Sequence, residues 1–99
     1  MPKAYVFCDI TVTDPEKFEG YKALAGPAAA ENGARYLARG GAAELLEGDG
    51  PVNRSVLLEF ADMTAARAWY DSPEYRAARD ARAGAAVARF VLVEGVEDA

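Results

Sequence analysis

Four charged residues and three aromatics could carry chemistry in this chain: Asp9, Arg39, Glu59 and Arg82, with Trp69, Tyr70 and Tyr75 as walls. An arginine fork clamps a carboxylate or enolate in a planar, bidentate way. A carboxylate such as Asp9 or Glu59 becomes a general base near neutrality when desolvation raises its pKa. The matching pocket lies between sheet and helices and is apolar with a few convergent polar groups. The reactions that fit are proton abstraction or isomerisation on a small organic acid, or oxygenation without a cofactor. Histidine is absent and Cys8 is the single cysteine. That excludes a histidine-ligated haem or metal, a thiolate metal site, a Ser-His-Asp triad and an intrachain disulfide. No carboxylate cluster marks a magnesium site, so neither metal nor cofactor is expected.

The same residues have structural readings. Arg39 with Asp9 or Glu59 makes an ion pair between subunits, because charges in an interface need partners. Arg82 caps a dimer or lies in solvent. Cys8 and Tyr21 fall on apolar stripes and read as core.

The elements that must position these residues can be taken in order. Residues 4–12 alternate as a strand, with Val6, Cys8, Ile10 and Val12 on one face and Tyr5, Phe7, Asp9 and Thr11 on the other. Thr13 and Glu16 form a capping box, with Pro15 in the first turn of a helix. Phe18, Tyr21, Leu24/Ala25 and Ala28 give that helix one apolar stripe. Pro27 is expected to kink it or end its first segment, and Asn32-Gly33 to stop it. Residues 35–39 alternate again, with Arg35, Leu37 and Arg39 on one face and Tyr36 and Ala38 on the other. Gly40-Gly41 permits a bend or bulge, after which residues 44–47 can resume pairing. Residues 54–60 form a third strand. Asp62 or Thr64 caps the next helix, and Ser72-Pro73 breaks it and starts another that carries Tyr75, Ala78 and Arg82. The last strand is expected from Val87 to Val96, with Val91 and Val93 on one face and Phe90, Leu92 and Glu94 on the other. The tail at 97–99 is expected to fray.

Ninety-nine residues make one domain with a modest core. A hydrophobic share of 52% with 27% charged residues excludes disorder. The net charge of −5 speaks against nucleic acid and anionic membranes as partners. No apolar run is long enough to span a membrane, and no signal-peptide layout opens the chain. A cytoplasmic protein is expected.

The order β-α-β-β-α-α-β is the split-βαβ, ferredoxin-like arrangement, an α+β fold with helices on one face of a four-stranded antiparallel sheet. The aliphatic strand faces take the helices. The other face collects Tyr5, Phe7, Asp9, Arg35, Leu37, Arg39, Leu57, Glu59, Phe90, Leu92 and Glu94. It is too apolar for water and too charged for a dry core. A second copy of the chain, facing it across a two-fold axis, solves both problems. On this layout Arg39 faces Asp9, Glu59 or Glu94.

The run Gly33-Ala34-Arg35-Tyr36-Leu37-Ala38-Arg39-Gly40-Gly41, then Leu46-Glu47-Gly48, Leu58-Glu59-Phe60, Trp69-Tyr70-Asp71-Ser72-Pro73-Glu74-Tyr75 and Val93-Glu94-Gly95 resembles domain-of-unknown-function family 1330. The resemblance covers almost the whole chain and is most specific at Tyr70 to Tyr75. It implies the dimeric α+β barrel superfamily, whose relatives include cofactor-free monooxygenases, muconolactone isomerases and haem-handling enzymes. It implies no activity, because fold kinship is only an analogy for function. Two readings follow. One is a homodimer that binds or transforms a small organic anion at Asp9, Arg39, Glu59, Trp69, Tyr75 and Arg82. The other is a non-catalytic dimeric accessory module. RNA binding through Tyr5 and Phe7 is disfavoured, since residues 55–59 offer no aromatic platform.

Overall fold

The computed structural model describes residues 2–97. The fraying expected of the tail falls partly on residues 98 and 99, outside the described residues. The elements are β1 (Ala4–Val12), α1 (Pro15–Glu31), β2 (Arg35–Arg39), β3 (Arg54–Phe60), α2 (Met63–Asp71), α3 (Pro73–Ala81) and β4 (Ala86–Glu94). The strands make one antiparallel sheet in the order β2-β3-β1-β4. This is the ferredoxin-like α+β fold that the element order implies.

β1 runs through the middle of the sheet. Its alternation puts Val6, Cys8 and Ile10 under the helices, all buried. α1 packs Phe18, Tyr21, Ala25 and Ala28 onto them. Its N-cap is Asp14, not Thr13. The backbone N–H groups of Thr13 and Asp14 both donate to the Ala85 carbonyl, at 2.8 and 3.0 Å. That ties Thr13 to the turn before β4, and the Asp14 side chain accepts from Lys17 N at 3.2 Å. α1 also continues through Pro27 to Glu31. The carbonyl that Pro27 leaves without a donor belongs to Ala23. Both residues are exposed, so water can satisfy it. The Asn32 side-chain amide then donates to the Ala28 carbonyl at 2.8 Å, and Gly33 turns the chain with a φ of 73°. Ser72 links α2 to α3 as expected: its hydroxyl donates to the Trp69 carbonyl and accepts from Tyr75 N.

Three further expectations fail, and these concern faces and pairing. First, β2 carries a bulge between Tyr36 and Ala38. Arg35 stands opposite Glu59 and Tyr36 opposite Leu58, but Ala38 meets Leu57 and Arg39 meets Val56. One extra residue reverses the alternation that follows it. Arg39 therefore shares the helix side with Val56 and is not on the face of Arg35 and Glu59. Second, β4 is inverted. Phe90 pairs with Cys8 and Leu92 with Val6, so both lie under the helices, while Val91 and Val93 stand on the open face. The anchoring of Thr13 and Asp14 to Ala85 sets this register, and Phe90 then packs 6.4 Å from the rings of both Tyr70 and Tyr75. Glu94 lies opposite Ala4 and leaves the open face as well. Third, residues 44–47 do not resume pairing. The chain from 40 to 53 is a loop, with Leu46 87% exposed. Gly40 starts it at a φ of 69°, where a Cβ would overlap the Arg54 guanidinium.

The open face consequently carries Tyr5, Phe7, Asp9 and Thr11 from β1, Ser55, Leu57 and Glu59 from β3, Val87, Arg89, Val91 and Val93 from β4, and Arg35 from β2. Phe7, Val87, Val91 and Val93 are all exposed there.

Candidate functional site

The bulge brings Arg39 to the mouth of a small cavity between the sheet and α1. The cavity holds about 30 Å³, room for one or two water molecules. Lys22, Arg39 and Arg54 line it together with Cys8, Tyr21, Tyr36, Trp69, Tyr75 and Phe90. The Arg39 guanidinium lies 4.3 Å over the Tyr36 ring, a cation–π contact. On its other side it approaches α1, where a Cβ at Gly26 would come within 3.4 Å of Nη2. Among the described residues Arg39 has no ion pair.

Deeper in, the Tyr21 and Tyr75 hydroxyls share one hydrogen bond of 2.7 Å. Each phenol carries one proton, so whichever hydroxyl donates, the proton of the other is left over for a further acceptor. Burial pushes both phenols above their ordinary pKa, only partly offset by the nearby positive charge of Arg82. Burial also raises Tyr36, against Arg39. The Cys8 thiol is pushed up to about 12, chiefly by burial. Every one of these groups therefore stays protonated at neutral pH. Three further donors are buried without an acceptor, Trp69 Nε1, Arg79 Nε and Arg82 Nε, and of these residues Trp69 lines the cavity. Arg82 caps the C-terminus of α3 and stands 5.3 Å from the Tyr21 ring and 5.0 Å from Phe90. The lining thus offers cations and hydrogen-bond donors, and no carboxylate side chain.

Of the residues singled out by sequence, Arg39, Trp69, Tyr75 and Arg82 come together on the helix side. Asp9 and Glu59 do not join them. Glu59 lies across the sheet, with Lys3 Nζ at 3.9 Å and Arg35 Nη1 at 4.0 Å from Oε1. Asp9 stands opposite Ser55 and Arg89 on the same open face. Neither can pair with Arg39 or act as a base in this cavity. Sequence reasoning missed Lys22, Tyr36 and Arg54, and took Tyr21 as core alone. The signal for Arg54 was its place as the first residue of β3, beside the Gly40 turn. Among the described residues no group of three or more His, Cys, Asp or Glu side chains could hold a metal ion. No helix among them is long and apolar enough to cross a membrane.

A second cavity of about 330 Å³ opens beside α2, lined by Val6, Ala66, Arg67, Trp69, Tyr70, Asp71, Phe90 and Leu92. Trp69 and Phe90 are walls of both cavities.

The family described as "Domain of unknown function (DUF1330)" matches residues 3–96. No curated protein matches. Among solved structures, the chain is similar to RPA0582, a protein of unknown function from Rhodopseudomonas palustris, at TM-score 0.77 and 18% identity, covering 98% of this chain and 85% of that one. SnoaB, a cofactor-independent oxygenase from Streptomyces nogalater, matches at TM-score 0.66 and 17% identity over 99% and 97% of the two chains. A dimeric ferredoxin-like protein of unknown function from Thermobifida fusca matches at TM-score 0.63 and 19% identity over 94% and 91%. At these identities the likeness is one of fold.

Proposed function

The chain belongs to the DUF1330 family, and from that premise we propose that it works as a homodimer that binds a small organic anion at the Arg39 cavity. The observation that carries the reading is the one-sided chemistry of the lining. Arg39 and Arg54 supply positive charge at the mouth, beside Lys22, whose ammonium is paired with Glu19 at 2.7 Å. The Tyr21–Tyr75 pair and the Trp69 indole supply buried donors. Buried donors left without acceptors are costly, and a carboxylate or enolate oxygen accepts from several at once. The exposed Phe7, Val87, Val91 and Val93 support the dimer, because one apolar sheet face of that kind needs covering. The likeness to a dimeric ferredoxin-like protein supports it too.

Catalysis is the second reading, favoured by the likeness to a cofactor-independent oxygenase. With Asp9 and Glu59 across the sheet, such chemistry would need a substrate that ionises without an enzyme carboxylate. The donors would then hold the anion while it reacts. A non-catalytic accessory role is equally compatible with an anion that only binds.

Calorimetric titration tests the proposal. Short carboxylates are expected to bind and their neutral amides not to, with Arg39→Gln removing the difference. Equal behaviour of acids and amides would overturn it.

A further inference from the structure

The Arg39 cavity accommodates a head group but not a whole organic acid, since 30 Å³ is about the space of one or two waters. Ligand sites for organic molecules run to roughly 300–1,000 Å³. The cavity beside α2 has about 330 Å³ and mostly apolar walls, from Val6, Ala66, Tyr70 and Leu92. It meets the first at Trp69 and Phe90, which line both. We infer that the two cavities take the two ends of one amphipathic ligand, a monocarboxylate whose acid group sits at Arg39 and Arg54 and whose unbranched apolar body lies beside α2. The inference rests on the anion reading above and adds the class of molecule.

Charge and shape agree with it. Arg39 and Arg54 both belong to the small cavity, as does Lys22, which is paired with Glu19. The large one has Arg67 and Asp71, one of each sign and both exposed, so it carries no net field for a second anion. Trp69 is buried at the junction, with Nε1 lacking an acceptor. Phe90 is half-buried, and a shift of its ring is the simplest way to join the two spaces. The ligand would cover the Trp69 and Phe90 rings and leave the open sheet face free for the partner copy.

Trp69 is the chain's single tryptophan and reports on both cavities through its fluorescence. The full chain is titrated with acetate, butanoate and octanoate at constant ionic strength, following Trp69 emission and, independently, heat. Burial of a methylene is worth about 0.8 kcal/mol, so the dissociation constant should fall about fourfold per methylene from butanoate to octanoate. Leu92→Phe, which narrows the large cavity, should flatten that gain. Arg39→Gln should weaken all three acids. If octanoate binds no tighter than butanoate while both still depend on Arg39, the inference falls and the anion reading stands. A chain-length gain that survives Leu92→Phe places the tail elsewhere and also overturns the inference. If no acid binds, both fall.

Discussion

Removing the Tyr21 hydroxyl separates a working donor pair from two aromatics that merely touch. Tyr21→Phe keeps the ring packing, with Phe18 at 5.1 Å and Tyr75 at 6.2 Å between centroids. It deletes the 2.7 Å bond and leaves the Tyr75 hydroxyl buried. A buried polar group that loses its partner costs about 1–3 kcal/mol, against a net value of about 0.5–1.5 kcal/mol for a typical bond. The adjacent cavity can admit a water to the orphaned hydroxyl, so the low end applies: about 1–1.5 kcal/mol. At about 4–8 °C per kcal/mol for a domain of this size, the melting temperature should fall by about 4–12 °C. Tyr75→Phe should cost the same for the same reason. The double variant has no hydroxyl left to satisfy and should cost clearly less than the sum of the singles. Urea unfolding of the four proteins at one concentration gives the coupling energy, expected at about 0.5 kcal/mol or more. Strict additivity would show that the hydroxyls do not interact and would remove the buried donor pair from the account.

Further outcomes follow from the faces the structure assigns. Arg39→Leu should lower stability by no more than about 1 kcal/mol in thermal melts, the worth of an exposed cation–π contact, because no carboxylate is stranded; a loss of several kcal/mol would restore the interface ion pair. Cys8 should resist thiol reagents in native buffer at pH 8, and rapid labelling would contradict its burial. Its pKa is raised from 9.0 to about 12 in the folded protein, so its contribution to stability is complete below pH 9 and is lost as pH rises toward 12. Cys8→Ala should therefore flatten the alkaline limb of stability against pH. Val91→Glu, placed mid-strand on the open face, should shift sedimentation from twice the chain mass toward the monomer, whereas an unchanged dimer would put the interface elsewhere.

Much of this fold could be read from the sequence where one face of an element was distinctly apolar. β1 has aliphatic residues on one face and polar or aromatic ones on the other, and the reading of its faces holds. The α2–α3 break at Ser72-Pro73 has its own capping chemistry. Helical spacing there brought Trp69, Tyr75 and Arg82 into the candidate site. Where both faces are similar, alternation has no sign. Val91/Val93 and Phe90/Leu92 are equally apolar, and the register set by Thr13 and Asp14 on Ala85, with Val12 opposite Ala86, decides which set meets the helices. The bulge at β2 is harder still. The chain signals a bend at Gly40-Gly41, but the slip occurs earlier, between Tyr36 and Ala38. That single slip moves Arg39 to the helix side, away from Asp9 and Glu59, and changes the chemistry from a base-bearing pocket to a donor-only one.

The most direct test of the account is a crystal structure of the protein grown with a bromine-labelled carboxylate, located by its anomalous signal. A carboxylate is expected within hydrogen-bond distance of Arg39 and Arg54 on the helix side, with the bromine toward Trp69 and the open faces of two copies paired. A carboxylate seated on the open face beside Arg35 or Arg89, with Arg39 bonded to Asp9 or Glu59, would contradict it.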